Sequence, residues 1–279
     1  MNGAIVALTS LAVGSAVAAA GIYGDAQKNK VTNALYKKPA YKVHGPLVSV
    51  VIPTLREEDY LGLLLTSVYN QTYAPLEVVV SDSSPPESKA ATQYVIDKWK
   101  PFLNVRMVNS PAKNVSRGRN VGAAAADGRA LLFVDADCIL DREYVHKLAD
   151  ALSKGAVLAH GIDCWYDNDF HNTLKSFYSW FKPRLHTTGR GVLIRKEHFR
   201  SLGGYREDYD PAATGFREDL DLGRRVERTF GSGSVCLVQD AVVGESDRRP
   251  LFSSTAQQVW KERGWRKGKP ITYLPLVRN

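Results

Sequence analysis

Short runs of apolar, often β-branched residues alternate with segments of helical spacing in the first half of the chain. The apolar runs end in polar or turn-forming residues and predict strands over 47–52, 76–80, 105–108 and 130–134. Helices are predicted over 60–69, 90–99, 118–126 and 144–152. This alternation is typical of βαβ units, so it predicts an α/β fold with a mostly parallel central sheet flanked by helices.

The second half of the chain is less regular. It predicts strands over 157–162 and 191–194, an aromatic helix over 172–180 and a further helix over 219–228. The last segment, 251–279, combines two tryptophans with five cationic side chains between Trp260 and Lys269. Such a basic aromatic tail suits a membrane surface, although a basic surface helix with core tryptophans explains the same composition.

The N-terminus differs from the rest of the chain because residues 4–24 carry no charge. About 20 apolar residues cross a bilayer, so residues 1–24 are interpreted as a transmembrane anchor. A cleaved signal peptide and a buried soluble helix are the alternatives, but no basic region precedes the segment. Lysines follow the segment within 25–45, which we interpret as a basic juxtamembrane linker. The positive-inside rule then places the C-terminal body in the cytoplasm, on a single-pass membrane protein.

Net charge and cysteine content restrict the classes of partner and the kinds of cysteine site that the chain is expected to have. The net charge of +8 favours anionic partners such as phosphate-bearing substrates, nucleic acid or a membrane surface. No nucleic-acid-binding module is recognisable, so nucleic acid is not expected. Cys138, Cys164 and Cys236 are too few and too far apart to predict a zinc site or a disulfide framework.

Polar residues follow three of the predicted strands, at Thr54, Asp82 and Asp135. Ligands of open parallel sheets bind at the carboxyl ends of strands, so these side chains are expected at one edge. Asp135 and Asp137 form a D-x-D pair that could share a divalent cation with a diphosphate, since Mg²⁺ is typically held by one or two carboxylates plus substrate phosphates. A simple turn rich in aspartate is the alternative interpretation.

Two further clusters carry chemistry. The acidic run 217–221 opens a predicted helix, where it suits the helix dipole, and it could also supply a carboxylate that accepts a proton from a hydroxyl. Arg117 and Arg119 lie at the start of the small-residue helix, where backbone N–H groups favour an anion. A solvent-exposed basic turn is the alternative for this second cluster.

These pieces together resemble family-2 glycosyltransferases over residues 46–250. The resemblance rests on the order of the following motifs: 46–54 (PLVSVVIPT), Glu57, Asp82, Arg119-Asn120-x-Gly122, Asp135-Ala136-Asp137, Gly203-Gly204-Tyr205 and Glu218-Asp219. It implies a GT-A, Rossmann-like catalytic domain over 46–250 that binds a nucleotide-sugar at its strand ends. A hexosyltransferase is the expected type.

The resemblance also implies roles for individual residues. Donor-binding residues would be Pro53, Thr54, Glu57, Asp82, Arg119, Asp135, Arg224, Arg248 and Arg249. Asp135 and Asp137 would hold a divalent metal, Mg²⁺ or Mn²⁺. Asp219, beside Glu218, would be the general base of an inverting transfer. The acceptor is not identified, and a lipid-linked or cell-surface glycan is suggested by the predicted anchor alone.

Two positions depart from the family pattern, and two alternatives remain. Arg56 stands where Asn is common, and Ser81 stands where a first Asp often precedes the second, so the base and sugar of the donor are left open. A non-catalytic nucleotide-sugar-binding membrane scaffold is one alternative, although Asp137 and Asp219 are both present. A nucleotidyltransferase is the other, but the first strand is not followed by a glycine-rich loop.

Overall fold

A computed structural model of the chain describes residues 2–111, 114–170, 172–173, 176, 190–208 and 218–247, with side chains from residue 15 onward. The elements in chain order are α1 (Asn2–Asn33), β1 (Val43–Thr54), α2 (Glu58–Tyr69), β2 (Tyr73–Asp82), α3 (Pro86–Trp99), β3 (Asn104–Asn109), α4 (Val115–Ala125), β4 (Ala130–Phe133), β5 (Cys138–Leu140), α5 (Tyr144–Ser153), β6 (Leu158–Trp165), β7 (Val192–Arg195), α6 (Lys196–Ser201), α7 (Glu218–Phe230) and β8 (Val235–Glu245).

The strands form one sheet in the order β3-β2-β1-β4-β7-β6-β8-β5. The prediction of a parallel sheet is confirmed for its first half, in which β3, β2, β1 and β4 are all parallel. It is wrong for the second half, which is mixed. There β7 runs antiparallel to both β4 and β6, and β5 runs antiparallel to β8, while β6 and β8 are parallel.

Apolar side chains on both faces of the central strands build the core. Along β1, Val50 and Ile52 belong to the cluster that includes the leucines of α2, whereas Val51 between them belongs to the opposite cluster, with α4 and α7. This alternation is the two-residue period of a strand buried on both faces. Helices therefore cover both sides of the sheet. On the α4 side the backbone approaches closely, because a Cβ added at Gly122 would lie 2.4 Å from Val51 Cγ1.

Most of the predicted elements of the first half are present, and two strands were missed. The missed strands are β5, which has three residues, and β8, which carries polar residues in its middle. Of the aromatic helix predicted over 172–180, residues 172, 173 and 176 are helical and the rest lie outside the described residues. Arg248, Arg249 and the tail 251–279 also lie outside them.

The N-terminal helix α1 corrects the interpretation of residues 1–24. It continues past the uncharged segment to Asn33, through Asp25, Lys28 and Lys30. Among the helices that can be assessed in the described part of the chain, none is long and apolar enough to cross a membrane. The predicted transmembrane helix is therefore not supported.

The second half of α1 packs on the catalytic body. Its buried residues are spaced by four and three positions and form one stripe: Ala20, Gly24, Gln27, Val31 and Ala34. Asn172 Nδ2 donates to the Gly24 carbonyl at 2.8 Å, and Asn70 Nδ2 donates to the Ala34 carbonyl at 2.7 Å. Part of the segment that we interpreted as a linker, 25–45, is thus the end of this helix.

Candidate active site at the carboxyl edge of the sheet

The polar residues that follow the parallel strands meet at one edge of the sheet. Thr54 at the end of β1 pairs in register with Asp82 at the end of β2, and Asp135 comes two residues after β4. The register of β1 with β4, which pairs Val51 with Phe133, brings Asp135 beside the end of β1. The convergence that the sequence predicts at the strand ends is therefore present.

Asp82 is buried at this edge with one carboxylate oxygen fully engaged and the other free. Its Oδ1 accepts hydrogen bonds from Thr54 Oγ1 at 2.8 Å and from Ser84 Oγ at 2.6 Å. Its Oδ2 has no hydrogen-bond partner among the described residues, although it is buried. A buried oxygen without a donor costs free energy, so this atom is poised to accept a hydrogen bond from a ligand.

Ser84 also holds the loop after β1. The Arg56 N–H donates to Ser84 Oγ at 2.8 Å, and the Arg56 backbone is left-handed, with a φ of 58°. A left-handed backbone is more unfavourable for arginine than for asparagine, the residue that is common in the family at this position. The departure at position 56 therefore places strain at the rim of the site. The Arg56 side chain is exposed.

Arg119 joins two sequence-distant motifs. Its Nη2 donates to Asp135 Oδ1 at 2.9 Å, and its Nη1 donates to Glu218 Oε1 at 2.7 Å. The side chain is 2% exposed, and its guanidinium lies 5.1 Å from the centre of the Tyr205 ring. Burial alone would lower the pKa of Arg119, but the charges of Asp135, Tyr205 and Glu218 outweigh burial and raise it. Arg119 therefore stays charged in the interior, where it bridges the two carboxylates.

The residue after Arg119 locks a second motif in place. Asn120 Nδ2 donates to the Tyr205 carbonyl at 2.8 Å, and its Oδ1 accepts from the Tyr205 N–H at 2.9 Å. Gly204 has a φ of 75°, and a Cβ there would lie 2.7 Å from Asn120 Oδ1. A glycine is thus required at position 204 for this close approach.

The two arginines at the start of α4 are paired with carboxylates of the protein. Arg117 Nε donates to Glu207 Oε2 at 2.7 Å, and Arg119 is held by two carboxylates. The Arg117 N–H is taken by Asn114 Oδ1, which caps the helix. Both arginines that we expected beside a bound anion are therefore already neutralised by carboxylates of the protein.

The acidic residues at the start of α7 lie beside this unit. Glu218 binds Arg119, while Asp219 is 4% exposed and its Oδ1 accepts the Leu220 N–H at 2.8 Å. Asp221 binds Arg225 at 2.8 Å, and Arg225 also donates to the carbonyls of Leu202 and Gly204. The first turn of α7 is thus fastened to both the D-x-D motif and the glycine pair.

The D-x-D pair offers hard oxygen ligands of the kind that Mg²⁺ and Mn²⁺ accept. The Asp135 side chain keeps about a third of its surface exposed, 34%, beside its bond to Arg119. Across the residues whose positions are described, no cluster of three or more His, Cys, Asp or Glu side chains could hold a metal by itself. Two carboxylates fit a cation that takes its remaining ligands from substrate phosphates and water.

A second arginine paired with two carboxylates, the half-buried Arg190, was missed by the sequence analysis. Arg190 Nη1 donates to Asp163 Oδ2 at 3.1 Å, and its Nε pairs with Glu245. Burial would lower its pKa, but the nearby carboxylates, Asp135 included, raise it. The signal for this cluster was weak, because Asp163 and Glu245 end apolar runs that pair only in the mixed half of the sheet.

The remaining predicted donor-binding residues are placed as follows. Pro53 is the last but one residue of β1 and lies against α4, since a Cβ added at Gly118 would be 3.2 Å from the Cβ of Pro53. Glu57 is buried and precedes α2. Arg224 is half-buried on α7. Arg248 and Arg249 lie outside the described residues.

Comparisons with known proteins agree with this geometry. The family model described as glycosyl transferase family 2 matches residues 49–218, more than half of the chain. Validoxylamine A glucosyltransferase of Streptomyces hygroscopicus subsp. limoneus is 30% identical over an alignment of 230 residues that covers 67% of this chain and 49% of that protein. The chain spans about half the length of the curated relatives that it matches at this level.

Solved structures share the fold. The mannosyltransferase PcManGT of Pyrobaculum calidifontis, solved with GDP-Man and Mn²⁺, matches with a TM-score of 0.54 and 20% identity over 93% of this chain and 76% of that one. TarS of S. aureus, solved with UDP-GlcNAc, matches with a TM-score of 0.53 and 18% identity over 70% of this chain and 57% of that one. The family model, with the relative that is 30% identical, shows that the chain belongs to glycosyl transferase family 2.

Proposed function

We propose that the chain transfers a sugar from a nucleotide-sugar donor to an acceptor hydroxyl with inversion, using Asp219 as general base and a divalent metal at Asp135 and Asp137. The observation that carries the proposal is the Arg119 bridge. It ties Asp135 of the D-x-D motif to Glu218, the neighbour of Asp219, at the carboxyl edge of the sheet. A donor-binding carboxylate and a proton acceptor are thereby held in one unit.

The nucleoside end of the donor is proposed to lie at Thr54, Glu57 and Asp82. Asp82 supports this because its buried Oδ2 is without a donor among the described residues. An N–H of a nucleobase is the kind of group that would satisfy this oxygen. The relatives solved with UDP-GlcNAc and GDP-Man make both uridine and guanosine donors reasonable to test.

The diphosphate is proposed to lie near Asp135 and Asp137, the two carboxylates that would hold the divalent metal. When bound, Mg²⁺ or Mn²⁺ would neutralise charge that develops on the leaving diphosphate. Arg224, Arg248 and Arg249 stay predicted partners of the same phosphates. Arg190 is a further cation near Asp135, and it holds Asp163 and Glu245 at the same edge.

Asp219 is proposed to take the proton of the acceptor hydroxyl as that oxygen attacks the anomeric carbon. The pair of electrons on the hydroxyl oxygen forms the new glycosidic bond, and the bond to the nucleoside diphosphate breaks on the opposite face. Glu218 cannot serve equally, because its Oε1 is bound to Arg119 at 2.7 Å. No covalent enzyme intermediate is needed.

The donor is tested by measuring release of UDP or GDP from a panel of nucleotide-sugars, with Mg²⁺, with Mn²⁺ and with a chelator. We expect donors of one nucleotide class to release their nucleoside diphosphate, by hydrolysis or by transfer of the sugar. We expect the chelator to stop this release. Turnover that persists unchanged in chelator would refute the metal assignment. Absence of turnover with every donor and a broad acceptor pool would support the scaffold alternative instead.

The base is tested with Asp219→Asn, which keeps the shape and removes the proton acceptor. Loss of a general base lowers turnover by about 10²-fold or more, with donor affinity kept. Asp221→Asn is the matched control, since Asp221 lies on the same turn of α7 but is engaged by Arg225. A near-native rate for Asp219→Asn would show that another group takes the proton.

The acceptor and the location stay predictions. A lipid-linked or cell-surface glycan is the proposed acceptor class, and the cytoplasmic face of a membrane is the proposed location. Flotation of the full chain with vesicles, in the presence and absence of high salt, tests the membrane association. A chain that never floats with vesicles would contradict it.

A further inference from the structure

A cleft of about 580 Å³ opens at the amino-terminal ends of the parallel strands. Arg129 and Ala130, at the start of β4, line it, whereas Asp135 follows the other end of the same strand. The cleft therefore lies on the opposite edge of the sheet from the proposed donor site. Nothing in the proposed transfer reaction uses it.

Four cationic side chains line this cleft: Arg129, Arg195, Lys196 and Arg200. Arg195 donates to the Ala156 carbonyl at 3.1 Å, and Lys196 Nζ donates to the Ala126 carbonyl at the end of α4. Arg129 and Arg200 are exposed, and within the described ranges neither guanidinium has a hydrogen bond or an ion pair. Two cations at the cleft are thus free to bind a ligand.

Lys196 lies among like charges that the carboxylates of Asp127 and Glu77 offset only in part. Burial lowers the pKa of Lys196, and the charge of Arg200 lowers it further. Two carboxylates, Asp127 and Glu197, also line the cleft. Asp127 is bound to Arg106 at 3.1 Å, and the four cations outnumber the two carboxylates. An anion between the guanidinium groups would relieve this repulsion.

The inner wall of the cleft is apolar. Val48 of β1, Leu193 of β7 and Leu152 of α5 are buried beneath it, and Ala149 adds a small, half-buried surface. Apolar surface of this kind gains free energy when it is covered by hydrocarbon rather than water. The cleft therefore combines an apolar wall with a cationic rim.

We propose that this cleft binds an amphipathic phosphate, with the phosphate between Arg129 and Arg200 and the apolar part against Ala149 and Leu152. Guanidinium groups bind phosphate through paired N–H···O bonds, which favours phosphate over a single-point anion. A free organophosphate and the headgroup of an anionic lipid share this chemistry. The test is designed to distinguish these two sources.

The probe is hexyl phosphate, titrated calorimetrically into the full chain, with inorganic phosphate as the comparison. The test variant is Arg129→Gln/Arg200→Gln. The control is Lys98→Gln/Lys100→Gln, which removes two positive charges from α3 and its C-terminus, both outside the cleft lining. We expect hexyl phosphate to bind the native chain. Its affinity should be at least about tenfold lower for the test variant and unchanged for the control.

A third variant tests the apolar wall. Ala149→Leu places a larger side chain in the cleft without altering its charge. It should weaken the binding of hexyl phosphate and leave the binding of inorganic phosphate unchanged. Donor turnover and melting temperature should remain native in the Arg129→Gln/Arg200→Gln variant, which shows that the protein is folded. Vesicles of phosphatidylglycerol that bind the native chain and not this variant identify a lipid headgroup, whereas binding of soluble hexyl phosphate alone identifies a free organophosphate.

Three results would overturn the proposal. Failure of hexyl phosphate to bind the native chain would remove the site. Equal weakening by the test and control variants would show attraction by net charge alone. Equal affinities for hexyl and inorganic phosphate would show that the apolar wall takes no part.

Discussion

The buried bridge made by Arg119 can be broken in two graded steps. Arg119→Lys keeps the positive charge but removes the planar fork, so one ammonium cannot reproduce separate bonds to Asp135 and Glu218. Arg119→Met removes the charge and leaves both carboxylates without their cation. The two variants therefore separate loss of geometry from loss of charge.

The expected cost follows from burial. Because Arg119 is 2% exposed, solvent screens the pair little, and removing one partner of a buried ion pair costs about 3–5 kcal/mol. At about 2–4 °C per kcal/mol for a domain of this size, Arg119→Met should lower the melting temperature by roughly 6–20 °C. Loss of one hydrogen bond to a charged group costs about 1.5–3 kcal/mol, so Arg119→Lys should lower it by roughly 3–12 °C.

Activity should fall further than stability explains. Misplacement of the reacting groups by about 1 Å can cost on the order of 10² in rate, so kcat of Arg119→Lys should drop tenfold to a hundredfold at a temperature where the variant is fully folded. The measurement is kcat and KM for nucleoside diphosphate release, beside thermal unfolding. Because the bridge acts on position rather than on donor contact, the loss should appear in kcat more than in KM.

Arg106→Lys is the matched control for this prediction. Arg106 also bridges two carboxylates, Glu77 at 2.7 Å and Asp127 at 3.1 Å, but it lies on β3 away from the candidate site. It should lower the melting temperature and leave kcat intact. If Arg119→Lys turns over and melts like the native chain, or if both lysine variants lose kcat equally, the positioning role is refuted.

Three further perturbations test the fold around the site. Arg56→Asn should stabilise the protein by up to about 1 kcal/mol in urea unfolding, because Asn tolerates the left-handed backbone there better, and unchanged or lower stability would contradict the strain. Gly122→Ala should cost about 1–3 kcal/mol by overpacking against Val51, whereas Gly62→Ala, with open space around its Cβ, should gain about 0.5–1 kcal/mol; equal effects would contradict the close approach of α4. Burial lowers the pKa of His160 below its ordinary 6.5, so its contribution to stability is present above pH 6.5 and lost as pH falls through the folded-state value. Below pH 6.5 the unfolding free energy should therefore decrease as pH falls, and His160→Gln should reduce this slope by at most about 1.4 kcal/mol per pH unit. An unchanged slope would exclude His160 as the source of the pH dependence.

The parallel half of the sheet could be predicted because its signals are local. Each strand from β1 to β4 contains a mostly apolar run, and each is followed by a helical period or a turn. The positions of Thr54, Asp82 and Asp135 after predicted strands also predicted that these side chains meet at one edge of the sheet. These are properties of residues that are near one another in sequence or at the ends of strongly apolar strands.

The mixed half could not be predicted because its pairing is not local. The strand β5 has three residues, too few to show a period, and β8 contains Gln239 and Asp240 within its span. Arg190 meets Asp163 and Glu245 only once β6 and β8 pair, so no spacing in the sequence announces the cluster.

The N-terminal helix shows a different limit. Its uncharged first part is long enough to span a bilayer, which is why the sequence favoured an anchor. The stripe from Ala20 to Ala34 is made of small and polar residues apart from Val31, so it has little hydrophobic periodicity although it is buried against the domain. Composition alone cannot distinguish a helix that docks through small residues from one that faces lipid.

The candidate site is held together by charge pairs and amide bonds between motifs, and this changes how its variants should be interpreted. Arg119 fixes Asp135 and Glu218, and Asn120 fixes Tyr205. A substitution at any of these positions therefore moves groups that belong to another motif. Loss of activity at Arg119 or Asn120 cannot by itself assign donor contact to that side chain. By contrast, Asp82 keeps a buried oxygen without a partner among the described residues, so a loss of donor affinity there points to direct contact.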